Sequence, residues 1–339
     1  MAKNNTEVGI RIGDQYNQFI IKEKIGRGSF ADVFKIKRHR DGRDYGMKIK
    51  FGDTVKVQLH EVGIHDEIEK NRKNLPHGDL IVKKLADYRL TLHPSGDIRV
   101  CILFPLLGCD LQRCISHENF LFFHHHVLKK LVTQILQAVD YLHKHGIIHT
   151  DLKPDNIMCE THLVWNSLHQ QKAISITKPF NIKLVDLGSA VYLGKSNRVH
   201  GKISACGYRA PEVIIERAYG TSADIWSLGC CLYALYTGKH LFSRGDEWKQ
   251  LQNYTNAIGH PPDSMLETRY ERLKFKKFRE YVRLGSVDGD LDYSRKGKNG
   301  RVNRRLIDFL RKLLRWDPKS RLTATAALTH PFFRPKFYW

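Results

Sequence analysis

The spacing of apolar residues changes period near residue 108, and no other feature limits the fold as strongly. Upstream, "FIIKEKIGRGSFADVFKIKRHRDGRDYGMKIKF" alternates β-branched or aromatic residues with polar ones, and Gly26, Gly28 and "RDGRD" divide it into strand, turn, strand, turn, strand. Residues two apart on a strand share a face, so each segment can bury one side. An amphipathic helix is expected around "VQLHEVGIHDEIEKNRKN", followed by strands near "IVKKLADYRLTLHPSGDIRVCILF". After "PLLG", the stretch "HHHVLKKLVTQILQAVDYLHKHG" carries apolar residues at 127, 128, 131, 132, 135, 136, 139 and 142. That is the 3.6-residue period of a helix, and Gly146 closes it. "SADIWSLGCCLYALYTG" and "RLIDFLRKLLRWDP" predict further helices. The expected architecture is α+β and bilobal. Residues 1–18 form a leading extension, 19–107 a small β-rich lobe and 108–339 a larger helical lobe, with the hinge near Pro105 to Gly108 and a hairpin inserted at 160–181.

With 339 residues, 42% of them hydrophobic, the chain can bury a core, and wholesale disorder is excluded. Its formal charge of +21 predicts attraction to acidic partners: nucleotide phosphates, nucleic acid or acidic protein segments. The seven cysteines form no CxxC pair and sit mostly in apolar stretches, which argues against a metal site or disulfide framework and for a reducing compartment, nucleus or cytoplasm. No apolar window approaches the ~18 residues that a membrane span needs, so no membrane partner is expected. His124, His125 and His126 are consecutive, and helical neighbours point ~100° apart, so a solvated or capping role is preferred to metal ligation.

Several stretches carry chemistry. Gly26-x-Gly28 lies between two strands, where backbone could approach phosphate oxygens closely, although a two-glycine hairpin turn explains it equally well. Lys48, on the third strand, could pair with phosphates if a carboxylate held it. Glu67 is the best-spaced partner, with Glu61 and Glu69 as alternatives. In "HGIIHTDLKPDN", Asp151 could accept a hydroxyl proton, Lys153 could neutralise charge in flight, and Asn156 could give an oxygen to a divalent cation. "IKLVDLGSA" places Asp186 at a strand end before Gly188, where a carboxylate can hold Mg²⁺ against phosphate oxygens.

Gly26-x-Gly28, Lys48, Glu67, "HTDLKPDN", "DLG" at 186–188 and "APE" at 210–212 together resemble the eukaryotic protein kinase signature set, in order and approximate spacing, over residues 19–333. "CGYRAPEVI" resembles the CMGC group, and "HTDLKP", with Thr150 where most kinases carry Arg, resembles the SR-protein and LAMMER (Clk-type) kinases. "IGHPPDSML" echoes the DYRK-like branch, in which Lys202 would stand at the activation-loop tyrosine.

The resemblance implies a bilobal kinase fold with ATP between the lobes. Ile25, Gly26, Gly28, Val33, the Phe104 gatekeeper, the Pro105 carbonyl and the Leu107 N–H would surround the nucleotide, and Lys48 held by Glu67 would take its α- and β-phosphates. Asn156 and Asp186 would hold Mg²⁺, Asp151 would be the base, and Lys153 would steady the γ-phosphoryl. Tyr208, Arg209 and Glu212 would shape the activation segment, Arg321 would pair with Glu212, and His149 and Asp224 would support the catalytic loop. Lys153 matches the Ser/Thr pattern, with tyrosine left open as a second acceptor. Thr150 cannot bind an activation-loop phosphate as Arg would, so the resemblance implies activity without that phosphorylation.

Some positions depart from the family pattern. Ala31 replaces the third glycine, Gly46 replaces the usual Ala before the lysine, and Ala205 stands where a Thr normally bridges the catalytic Asp and Lys, with Ser204 as a substitute. Asn71, at a position usually apolar, weakens the choice of Glu67, and "EWKQLQNYTNAIG" replaces the LAMMER signature. Arg/Ser-rich splicing proteins are the substrates the resemblance suggests, but the +21 charge would repel them, so acidic or phosphorylated substrates stay open. Two other classes compete with an active enzyme: a pseudokinase scaffold using its basic surface, and a nucleic-acid binder argued from charge alone.

Overall fold

A computed structural model of the chain describes residues 11–13, 18–28, 31–50, 55–72, 75–91, 98–116, 122–123, 125–160, 173–174, 180–194, 198–242, 245–262, 265 and 304–334. The chain divides into two compact units, residues 1–108 with 160–162 and residues 109–159 with 163–339.

The first unit is an antiparallel sheet of six strands: β1 (Arg11–Gly13), β2 (Gln18–Arg27), β3 (Ala31–Arg38), β4 (Asp44–Lys50), β5 (Ala86–Thr91) and β6 (Ile98–Pro105). Their spatial order is β1-β2-β3-β4-β6-β5. The period-two alternation sorts its faces. Phe19, Ile21, Phe34, Ile36, Met47, Ile49, Cys101 and Leu103 bury one of them. The register aligns Val33 with Lys48 and Lys48 with Ile102, so these three share the other face. Helix α1 (Val55–Asn71) covers that face through Val62, packed with Val100 and Ile102. Glu61, Val62, Ile64, His65 and Ile68 are buried whereas Gly63 and Asp66 are exposed, the stripe that a 3.6-residue period produces. β1 lies within the expected leading extension, yet it joins the sheet by pairing Ile12 with Phe19.

The second unit is mainly helical. Its helices are α2 (Leu111–Ser116), α3 (His125–Lys144), α4 (Pro211–Ile214), α5 (Ser222–Thr237), α6 (Glu247–Ile258), α7 (Arg304–Leu313) and α8 (Ala324–Leu328). α3 buries every apolar position its periodicity marked, and Gly146 follows it at φ +67°. α5 is buried almost all round, and the left-handed Gly238 caps its end. Gly229 lets α5 approach the end of α7, since a Cβ there would stand 2.7 Å from Leu314 Cδ2. Short strand pairs carry the loops that matter for chemistry: β8 (Ile147–Ile148) with β12 (Val191–Tyr192), and β9 (Ile157–Cys159) with β11 (Ile182–Leu184). The hairpin expected at 160–181 lies mostly outside the described residues. Within it, β10 (Ala173–Ile174) pairs parallel with β7 (Phe122–Phe123). Residues 247–258, read from sequence only as the place of a missing signature, form α6, started by an Asp246 carboxylate that accepts from the Lys249 N–H at 2.8 Å.

Candidate active site

In the sheet unit, Lys48 projects from β4 onto a carboxylate of α1. Its Nζ donates to both oxygens of Glu61, at 2.8 Å each, and the two side chains are 12% and 1% exposed. This corrects the choice of Glu67. Glu61 lies in line with Ile64, His65 and Ile68 on the buried stripe, while Glu67, six residues on, is turned ~240° away and accepts from Asn71 Nδ2 at 2.8 Å. Asn71 therefore satisfies a carboxylate that is 43% exposed and no longer bears on the lysine.

One turn after Glu61, His65 is buried, and among the described residues neither of its ring nitrogens has a hydrogen-bond partner. Its ring tilts against Phe104 at 5.3 Å between centroids. Burial, more than the neighbouring charges, holds its pKa down at about 4, so the ring is neutral at physiological pH.

Gly28 N–H donates to the Ala31 carbonyl at 2.8 Å, and Gly26 aligns with Val33. A Cβ on Gly28 would stand 3.2 Å from the Ala31 oxygen, so the turn resists a side chain and leaves backbone free to approach a ligand. Gly46 would meet nothing nearer than 3.8 Å, so an alanine methyl would fit there. Ile25 lies two residues before the end of β2, and β6 ends at Phe104 and Pro105, with Leu107 beyond. Pro105 has no N–H and can offer only its carbonyl.

In the helical unit, the loop 149–156 hangs from one buried carboxylate. Asp224, on α5, accepts from the His149 N–H and the Thr150 N–H at 2.9 Å each, and its Oδ2 lies 2.9 Å from His143 Nε2. Thr150 adopts φ +68°, which a β-branched residue reaches only when its surroundings impose it. Its hydroxyl donates to the Ser189 carbonyl at 2.7 Å. His149 Nε2 contacts the Val185 carbonyl at 3.0 Å and its Nδ1 accepts from the Asp151 N–H at 3.2 Å, which fixes the Nε2–H tautomer.

These supports aim Asp151. Its Oδ2 accepts from Lys153 Nζ at 2.7 Å and Asn156 Nδ2 at 3.0 Å, and its Oδ1 accepts from the Ala205 N–H at 3.1 Å. Ser204 does not replace the missing threonine bridge. Its hydroxyl donates to the Thr150 carbonyl at 2.6 Å, and Lys153 reaches Asp151 directly. Asn156 Nδ2 also donates to the Asp151 carbonyl at 2.7 Å, so both of its protons are engaged and Oδ1 is the atom that can serve a cation. Val185 N–H donates to the Asn156 carbonyl at 3.0 Å, tying this loop to the segment that presents Asp186. Asp186 stands at φ +62° and accepts from Gly188 N–H at 3.3 Å. An amide oxygen and a carboxylate are hard donors, the set that suits Mg²⁺.

The segment 199–212 is fastened at several points. Arg209 donates to the carbonyls of Ile203 (2.9 Å) and Ser204 (3.0 Å) and to Glu247 (3.0 Å), which also holds Lys202 at 3.1 Å. Tyr208 Oη lies 3.0 Å from His240 Nδ1, and Ser227 donates to the Tyr208 carbonyl at 2.7 Å. Arg321 spends all five N–H groups: two on Glu212 at 2.6 and 2.7 Å, the others on the carbonyls of Arg315, Trp316 and Ser222. Sequence reasoning missed Lys50, 5% exposed, whose Nζ also lies 3.0 Å from Glu61. The alternation of β4, which puts residues 48 and 50 on one face, was the available signal.

Comparison with known proteins adds an independent line. A family model described as "Protein kinase domain" matches residues 19–333. Dual specificity tyrosine-phosphorylation-regulated kinase 3 of Mus musculus is 31% identical over 333 residues, covering 91% of this chain and 52% of its own length. Serine/threonine-protein kinase ppk5 of Schizosaccharomyces pombe is 32% identical over 336 residues, 94% of this chain and 36% of its own. The chain thus spans about half, or less, of these relatives. A crystal structure of a kinase domain superposes with a TM-score of 0.74 at 26% identity, covering 96% of this chain and 97% of its own.

Proposed function

Because this chain belongs to the protein kinase domain family and its relatives are DYRK-like and CMGC-type, we propose that it transfers the γ-phosphoryl of ATP to serine and threonine hydroxyls of proteins. The observation that carries this reading is Asp151, whose two oxygens are held by Lys153, Asn156 and the Ala205 N–H. A carboxylate so restrained can orient a substrate hydroxyl and receive its proton. Lys153, beside it, offers a positive charge to the group in flight. Lys48, steadied by Glu61, would take the α- and β-phosphates, with the Gly26 to Gly28 turn covering them. Asn156 and Asp186 would hold Mg²⁺, which when bound neutralises phosphate charge. The test is Mg²⁺-ATP transfer to an arrayed peptide library, with Asp186→Ala as control. Wild type should exceed the variant at least a hundredfold; equal transfer would instead favour the scaffold reading.

The same array addresses substrate and branch. The dual-specificity name of the Mus musculus relative adds tyrosine as an acceptor to score. The resemblance to SR-protein and LAMMER kinases predicts Arg/Ser-rich peptides, whereas the net charge of +21 predicts acidic or phosphorylated ones. We also infer that activity needs no activation-loop phosphate. Lys202 and Arg209 already share Glu247, and the Thr150 hydroxyl is committed to Ser189, so the segment is fastened by unmodified side chains. Phosphatase-treated enzyme should keep at least half its activity; complete loss would refute this.

A further inference from the structure

Glu61 holds two lysines, and the kinase reading uses one. Lys48 and Lys50 are two apart on β4, and both reach Glu61 from the same face of the sheet. Lys48 Nζ contacts both carboxylate oxygens at 2.8 Å, and Lys50 Nζ lies 3.0 Å from Oε2. A carboxylate has about four lone-pair sites, so the two cations do not exclude one another. The lysine side chains are 12% and 6% exposed and Glu61 is 1% exposed, so this group is shielded from water and salt. Lys50 is the more enclosed of the two, and among the described residues its ion-pair partner is Glu61. A buried ammonium demands such a partner, because an unpaired charge in that setting is strongly unfavourable. A chain needing only packing at position 50 would carry an apolar residue there, as it does at the buried Met47 and Ile49 of the same strand.

We propose that Lys50 is a positioning residue: it anchors Glu61, and through Glu61 helix α1, independently of Lys48. In consequence Lys48 can reach nucleotide phosphates while it stays paired with Glu61, because the hold on the helix is shared with Lys50. Without Lys50, the Lys48 charge must serve both Glu61 and the phosphates, a cost that nucleotide binding must bear. The inference rests on the assignment of Lys48 to the phosphates, whereas the anchoring itself can be read in the absence of nucleotide.

The first experiment is hydrogen exchange of the α1 amides 61–68 in the nucleotide-free full chain, comparing wild type, Lys48→Met, Lys50→Met and the double variant. Methionine keeps the length and packing of lysine while removing its charge. Lys48→Met should leave α1 protection within about threefold of wild type, and adding Lys50→Met should cut it tenfold or more. If Lys48→Met alone loosens α1 as much as the double variant, Lys50 is no anchor. The second measurement separates KM from kcat. Lys50→Met should raise both the Kd and the KM for Mg²⁺-ATP five- to tenfold, more than it lowers kcat, and Lys50→Arg should return both to within twofold. Unchanged Kd in Lys50→Met, or no rescue by Arg, overturns the proposal. A wild type that binds no nucleotide and transfers no phosphate counts against the kinase reading, and the exchange result then decides the anchor by itself. Should Lys50→Met fail to fold, Lys50→Gln is judged by the same criteria.

Discussion

Replacing His65 by Leu should make the protein more stable, and increasingly so as the solution becomes acidic. The side chain is buried on the inner stripe of α1, and both ring nitrogens lack partners among the described residues. Each buried polar group left unsatisfied costs on the order of 1–3 kcal/mol, and leucine removes both while filling a similar volume. Taking the ring as one such penalty, a gain of ~1–3 kcal/mol at pH 7 follows, or roughly 2–12 °C in Tm at 2–4 °C per kcal/mol. The pH dependence is a separate and sharper signature. His65 has a pKa of about 4 in the folded chain against 6.5 ordinarily. The folded value is depressed, so the unfolded chain binds the proton first, and stability falls as pH drops from 6.5 toward 4. At 1.36 kcal/mol per unit, the penalty is about 0.2 kcal/mol at pH 7 and about 2 kcal/mol at pH 5. His65→Leu abolishes it, so its advantage over wild type should widen by roughly 2 kcal/mol between those pH values. Urea titrations of both proteins at pH 7 and pH 5 measure the gap directly. A variant less stable than wild type at pH 7, or a gap that does not change with pH, would show that His65 is either satisfied or already protonated.

Three further outcomes follow. Arg321→Met strands the 1%-exposed Glu212 carboxylate and should cost ~3–5 kcal/mol in denaturant unfolding, and Arg321→Lys should recover only part of it because an ammonium cannot span two oxygens and three carbonyls. Glu61→Gln should lower phosphoryl transfer at least tenfold while Glu67→Gln stays within twofold, and the reverse ranking would restore Glu67 as the lysine's partner. Gly229→Ala should lose ~1–3 kcal/mol of stability, since a Cβ 2.7 Å from Leu314 Cδ2 outweighs the ~1 kcal/mol that alanine gains in a helix; a neutral or raised Tm would refute the close approach.

The bilobal outline was legible because period two and period 3.6 are properties of local sequence, and α3 and α5 end at the glycines that the pattern marked. Most of the loop chemistry was legible for a different reason: Asp151, Lys153 and Asn156 lie within six residues and can only meet in one turn. The choice among Glu61, Glu67 and Glu69 failed because distance along the chain from Lys48 says nothing about the rotation of a helix. Its apolar stripe does. Val62, Ile64 and Ile68 define the buried side, and Glu61 lies on it while Glu67 does not. Ser204 was misassigned because neighbouring residues in an extended segment point in different directions, so Ser204 turns to Thr150 while residue 205 presents its N–H to Asp151. The bond from Asp224 to the loop 75 residues earlier had no local signal and was reached through family likeness alone.

β1 contributes three residues, and their place at the rim of the sheet has a practical consequence. Backbone donors and acceptors of Gln18 to Ile20 are occupied by this short strand, which leaves β2 without an open border there. Trimming the chain to begin at residue 18 would uncover the backbone of Gln18 to Ile20 at the rim of the sheet, a template on which a second copy could add itself. A shortened version made for crystallisation should therefore be the one that clumps, and an expression plasmid that keeps Arg11–Gly13 should give the better-behaved sample.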